Sequence, residues 1–219
     1  NIITRKGQGK PRFNLSTRGG SYGTFSASAG ISGGSDKVDY SLGISNLQTQ
    51  GFSAASKLYE GNEEKDGYRN LSLSARLGLH LKHNLELDFI LKNLKTETEI
   101  DSFGGAYGDD PNNTQDYVAF FLKGQIRTLH LRNRWEQKFA FSLVDYDRRH
   151  ENPTDEAHPF DSEKGFFKSR LFNIDWQNNL FLHETNTLTF GLDYQQEQGE
   201  SEYQSQSIWG SFSSLFPRQ

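Results

Sequence analysis

The 219-residue sequence contains no cysteine and no methionine. Without cysteine there is no disulfide and no thiolate-bound metal. The missing methionine predicts a processed or excised piece of a longer product. Long apolar runs are absent too, which excludes a spanning helix, since that needs about 18 or more apolar residues. Excess positive charge is lacking: the net charge of −4 argues against a nucleic-acid partner. Apolar residues make up only 33% of the chain, and such a deficit is the usual mark of disorder. Against disorder stand 17 Phe, 9 Tyr and 3 Trp, together with the way the apolar residues are spaced.

That spacing has period two. Leu71, Leu73, Ala75, Leu77, Leu79 and Leu81 interleave with Ser72, Ser74, Arg76, Gly78 and His80. Successive strand side chains point to opposite faces, so the segment has one apolar and one polar face. The pattern recurs at Leu85, Leu87, Phe89 and Leu91, with Ile90 as a lapse. It recurs at Phe25, Ala27, Ala29 and Ile31, and at Val38, Tyr40, Leu42 and Ile44. Farther on come Val118, Phe120 and Leu122, then Trp135, Phe139, Phe141 and Leu143. The last two runs are Phe172, Ile174, Trp176, Leu180 and Leu182, and Leu188, Phe190, Leu192 and Tyr194. With a short first strand at 12–17, this predicts about nine strands and no helix.

The connections alternate in length. Tight turns are expected at 33–36, 82–84, 131–133 and 183–186, about 50 residues apart. Long polar loops are expected at 48–66, 99–115 and 146–164, and for everything after Glu197. Short turns at one end and long loops at the other are the layout of an antiparallel transmembrane β-barrel. Lipid then covers the apolar face, and a small apolar fraction is no obstacle to folding. Tyr68, Tyr117, Tyr146, Phe166 and Phe167 lie near the loop-side strand ends, where an aromatic girdle is expected. A soluble β-propeller also has repeats near this length, but each period here holds two long strands rather than four short ones. No nucleophile elbow or phosphate loop appears, so no enzymatic activity is expected. The six His are scattered; His150 and His158, which share a loop with Asp155 and Glu156, read as part of a flexible polar loop.

The opening Asn1-Ile2-Ile3-Thr4-Arg5-Lys6-Gly7 resembles the close of the plug domain in TonB-dependent outer-membrane receptors. Gly67-Tyr68 after an acidic loop, Asp175-Trp176-Gln177-Asn178-Asn179, and Gly191-Leu192-Asp193-Tyr194-Gln195-Gln196 resemble the cobalamin-receptor branch of that family. The resemblance implies that residues 1–7 end a plug and 8–219 form the N-terminal part of a barrel, about nine strands of a probable 22. The odd strand number points the same way, because bacterial single-chain barrels have even counts. The resemblance also implies a bacterial outer-membrane location and active uptake of a metal chelate. Cobalamin is expected ahead of a ferric siderophore, with the TonB energy-coupling complex as partner through the region before Asn1. The rival reading is a passive porin-like channel.

Acidic residues crowd two of the expected loops: Glu60, Glu63, Glu64 and Asp66 in one, Asp101, Asp109, Asp110 and Asp116 in the next. Calcium takes 6–8 oxygen ligands, so neighbouring loops of this kind could hold it. The resemblance implies calcium ordering these loops. It matches Glu64, Asp66 and Asp101 to the family's ligands, and Asp110 and Asp116 more loosely. Ser53 stands where the family offers an Asp. Tyr59, Phe103, Tyr107 and Trp209 are the aromatic candidates for stacking on a large ligand.

Overall fold

The computed structural model describes residues 6–53, 55, 56, 58, 59, 62–82, 84–101, 110–156 and 158–218. The plug-like motif at 1–5 lies outside them, as do Glu60, Phe103, Tyr107 and Asp109. Ten strands follow one another: β1 (Arg12–Gly19), β2 (Phe25–Gly34), β3 (Val38–Thr49), β4 (Tyr68–Lys82), β5 (Leu85–Glu99), β6 (Thr114–His130), β7 (Trp135–Asn152), β8 (Ser162–His183), β9 (Asn186–Ser207) and β10 (Gly210–Phe216). They form one sheet in sequence order, each neighbouring pair antiparallel. No pairing joins β1 to β10 among the described residues, so the sheet is an open, partial barrel.

The period-two reading places the faces correctly. Ala75, Leu77 and Leu79 pair with Leu91, Phe89 and Leu87 across β4 and β5. On the same outward face Phe13, Leu15, Leu42, Leu71, Phe89, Phe139, Leu188 and Leu192 are exposed. The opposite face carries Asp39, Arg76, Thr96, Glu136 and Ala140, all buried. Burial of a polar face beneath no second layer is what sheet curvature does to its concave side. The lapse at Ile90 belongs to this inner face, in register with Arg76 and Lys123.

The outward apolar run is short. On β8 it covers residues 172–180 and then gives way to Arg170, Lys168 and Phe166, although the strand has 22 residues. Nine residues at about 3.3 Å each, tilted by roughly 40°, span close to the 25 Å apolar band of an outer-membrane barrel. The same switch from apolar to charged occurs between Leu143 and Asp145 on β7, and between Val118 and Asp116 on β6. The loop-side half of these strands therefore stands clear of the apolar band.

This geometry corrects three expectations. The strand count is ten, which removes the parity argument. The segment after Glu197 is not a loop: β9 runs on to Ser207, turns at Ile208–Trp209 and returns as β10. The loop expected over 146–164 shrinks to 153–161 for the same reason, because strand above the apolar band is polar on both faces and carries no alternation. The turns expected at 33–36, 131–133 and 183–186 are found, while residue 83 of the turn expected at 82–84 lies outside the described residues; the β6–β7 turn places Leu131, Arg132 and Asn133 consecutively at positive φ.

Third, the aromatic girdle is misassigned. Register places Tyr68, Tyr117, Tyr146 and Phe167 on the inner face; Phe166 alone of the five points outward. Tyr117 meets Tyr146 edge-on at 4.7 Å, and Tyr146 meets Phe167 at 5.7 Å. Outward aromatics occur instead toward the turn side. There Trp176 packs on Phe190, and the Trp135 indole donates to Asn178 Oδ1 at 3.0 Å.

Candidate functional site

The inner wall at the level of the apolar band is a cross-strand ladder of ion pairs. His80 on β4 contacts Asp39 on β3 at 3.0 Å, and Arg76 donates from Nε to Asp88 on β5 at 2.9 Å. Arg127 on β6 bridges Glu86 at 3.0 Å and Glu136 on β7 at 2.6 Å. Glu136 also accepts from Asn179 on β8 at 2.7 Å and pairs with Lys138 at 3.2 Å. Charges at membrane depth persist only when they are paired or face an aqueous or protein-filled interior. The ladder thus requires that this face not meet lipid.

Above it lies the aromatic stack of Tyr117, Tyr146 and Phe167. Phe166, outside, lies under the Lys168 ammonium at 4.8 Å.

The loops bring three of the five matched acidic residues together. Ligand oxygens of Glu64, Asp66 and Asp101 all lie within 4.8 Å of one another. Glu64 and Asp66 come from the β3–β4 loop, while Asp101 follows β5. Asp101 Oδ2 accepts from the Ala55 N–H at 2.6 Å and from Ser53 Oγ at 3.2 Å, which ties the two loops together. Ser53 therefore occupies the site, with a hydroxyl where a carboxylate is expected. Asp101 Oδ1 is buried and has no hydrogen-bond partner among the described residues. Gly51, at φ 68°, is required here, because any Cβ would run into the Asp66 carbonyl. Carboxylates this close repel by roughly 3 kcal/mol per pair at an effective dielectric of about 20. A divalent cation would relieve that repulsion, and an all-oxygen set suits calcium.

Asp110 and Asp116 lie elsewhere. Asp116 is exposed on the outward face of β6, in register with Glu97 and Arg149. Asp110, 1% exposed, groups with Asp155 and His158 of the β7–β8 loop. The sequence reading passed over this second cluster, treating its His as part of a polar loop. The local Asp155-x-x-His158 spacing was visible, but the approach of Asp110, more than 40 residues away, was not. Of the aromatic candidates, Tyr59 is 46% exposed on the β3–β4 loop and Trp209 is 91% exposed at the β9–β10 turn.

No protein-family model and no curated protein matches the sequence. Among solved structures, the chain matches a protein described as copper transporter OprC with a TM-score of 0.69 and 11% identity, over 98% of this chain and 33% of that one. It also matches the ferric yersiniabactin uptake receptor FyuA from Yersinia pestis with a TM-score of 0.64 and 9% identity, over 95% of this chain and 37% of that one. The fold is a segment of theirs. At this identity the likeness is one of architecture, and the chain spans about a third of the length of each protein.

Proposed function

We propose that the chain is part of the barrel of a TonB-dependent outer-membrane receptor that captures a scarce metal chelate at its outer mouth. The observation that carries this reading is the convergence of Glu64, Asp66 and Asp101, from two adjacent loops, above an inner wall that is charged and an outer wall that is apolar. Calcium held there orders the two loops for ligand, with Glu64, Asp66 and Asp101 as ligands and Ser53 donating to Asp101. Cobalamin is the favoured chelate, ahead of a ferric siderophore, because the acidic loop pair is the feature that resembles the cobalamin-receptor branch. The architectural likeness to a copper transporter and a ferric-siderophore uptake receptor supports the uptake class. Tyr59, Phe103, Tyr107 and Trp209 supply stacking surface, the outer-membrane lipid covers the apolar band, and TonB coupling drives release inward.

The test uses the parent reading frame expressed in an outer membrane. Saturable cyanocobalamin binding is expected, weakened by a calcium chelator and by Asp66→Ala with Asp101→Ala, with uptake lost in cells lacking TonB. Binding indifferent to chelation and to both substitutions would remove calcium. Chelate entry that continues without TonB would put a passive channel in the receptor's place.

A further inference from the structure

The seam between the β5–β6 and β7–β8 loops concentrates buried acceptors, of which Asp155 Oδ1 also accepts the His158 N–H at 2.6 Å. Asp110 Oδ2, Asp155 Oδ1 and His158 Nδ1 meet there: Nδ1 lies 3.3 Å from Asp155 and 4.0 Å from Asp110. Asn152, at the end of β7, donates from Nδ2 to Asp110 Oδ2 at 2.8 Å. Asn112 donates across the seam to the Pro153 carbonyl at 2.9 Å. Asn113 closes the turn that Asp110 begins, its N–H donating to the Asp110 carbonyl at 3.0 Å. The side-chain oxygens of Asn112, Asn113 and Asn152 are all buried with no hydrogen-bond partner among the described residues, and Asn113 as a whole is only 7% exposed. Buried polar groups are normally satisfied, so a concentration of unsatisfied oxygens beside two carboxylates calls for a cation.

We propose that this seam is a second metal site, distinct from the Glu64–Asp66–Asp101 cluster, and that it takes a divalent transition ion of the zinc type. Asp110, Asp155 and His158 are its side-chain ligands, and the neighbouring Asn amides offer further oxygens. The 3.3 Å and 4.0 Å separations of His158 Nδ1 from the two carboxylate oxygens lie within the span of ligands sharing one ion at bonds of about 2.0–2.2 Å. The imidazole decides the class: it suits zinc, copper, iron or nickel, whereas calcium prefers oxygen alone. His158 Nδ1 faces both carboxylates, and a neutral imidazole coordinates a metal through such a ring nitrogen. Bound metal would clip the two loops together, much as the first cluster joins the loops flanking β4 and β5.

The test is zinc titration of the intact, tag-free protein in detergent micelles, followed by calorimetry and by protease protection of residues 153–161. One saturable zinc site is expected, with protection that appears on zinc and not on millimolar calcium. His158→Gln and Asp155→Asn should each weaken it by roughly tenfold or more, since even outer-shell partners of a metal are worth that much. His150→Gln, in the same region, and Asp66→Asn with Asp101→Asn should leave it unchanged, and circular dichroism confirms that each variant keeps its sheet. Zinc binding insensitive to His158→Gln and Asp155→Asn would overturn the site. So would absence of zinc binding with protection that instead rises on acidification, which would make protonated His158 itself the bridging cation.

Discussion

At the scale of single residues, the outcome of a substitution follows from which face or loop the residue occupies. Gly51 has no freedom to change, because its left-handed backbone and the Asp66 carbonyl both reject a Cβ. Gly51→Ala should displace Asp66 and weaken calcium binding at least about tenfold, with the far-ultraviolet dichroism of the sheet intact; calorimetry reads the first and spectroscopy the second. Ser53→Asp should act in the opposite direction. It adds a carboxylate beside Asp101, so calcium affinity should rise, and in the presence of a chelator the loop should become more protease-sensitive through like-charge repulsion. Both residues are plain in the sequence, and Ser53 could be flagged only against a family expectation. That its hydroxyl is within hydrogen-bonding reach of Asp101 is a matter of how two loops meet.

Strands and turns respond as units. Arg127 holds carboxylates on both neighbouring strands, so Arg127→Leu leaves Glu86 and Glu136 facing each other across β6. The expected loss is about 2 kcal/mol, below the 3–5 kcal/mol of a fully buried pair because the Arg127 side chain remains a third exposed. The measurement is the urea midpoint in micelles, and adding Glu136→Gln should restore part of the loss. In the β6–β7 turn, Leu131 and Arg132 adopt a left-handed backbone without being glycine. Replacing Leu131 by Gly should stabilise the protein by roughly 0.5–1 kcal/mol; an unchanged or lower midpoint would show that the Leu side chain contributes more than its backbone strain costs. Elements were readable wherever one face met an apolar medium. The extension of β9 and the whole of β10 were not, since Gln204, Ser205, Gln206 and their neighbours are polar on both faces and alternation has nothing to report.

For the whole molecule, the decisive feature is an open sheet with an apolar outer face. Among the described residues β1 and β10 each have one edge with no strand partner, and Phe13 and Leu15 on β1 are each nearly four-fifths exposed. Unpaired apolar edges recruit other strands. The chain diluted from urea into plain buffer should therefore sediment as aggregate, whereas dilution into micelles should give a soluble β-rich species. A soluble monomer without detergent would contradict the lipid-facing assignment.

The sequence alone determined the strand-by-strand alternation, the tight turns and the acidic richness of the first two long loops. These are local properties, set by side-chain period and turn chemistry within a dozen residues. Tertiary structure decided the rest. It turned Tyr117, Tyr146 and Phe167 inward, split the acidic residues into a Glu64–Asp66–Asp101 cluster and an Asp110–Asp155–His158 cluster, and left Asp116 outside both. The physical reason is register: one residue's shift along a strand exchanges inside for outside. Which loops meet above the sheet depends on how neighbouring hairpins stand together, and no single stretch of chain encodes that.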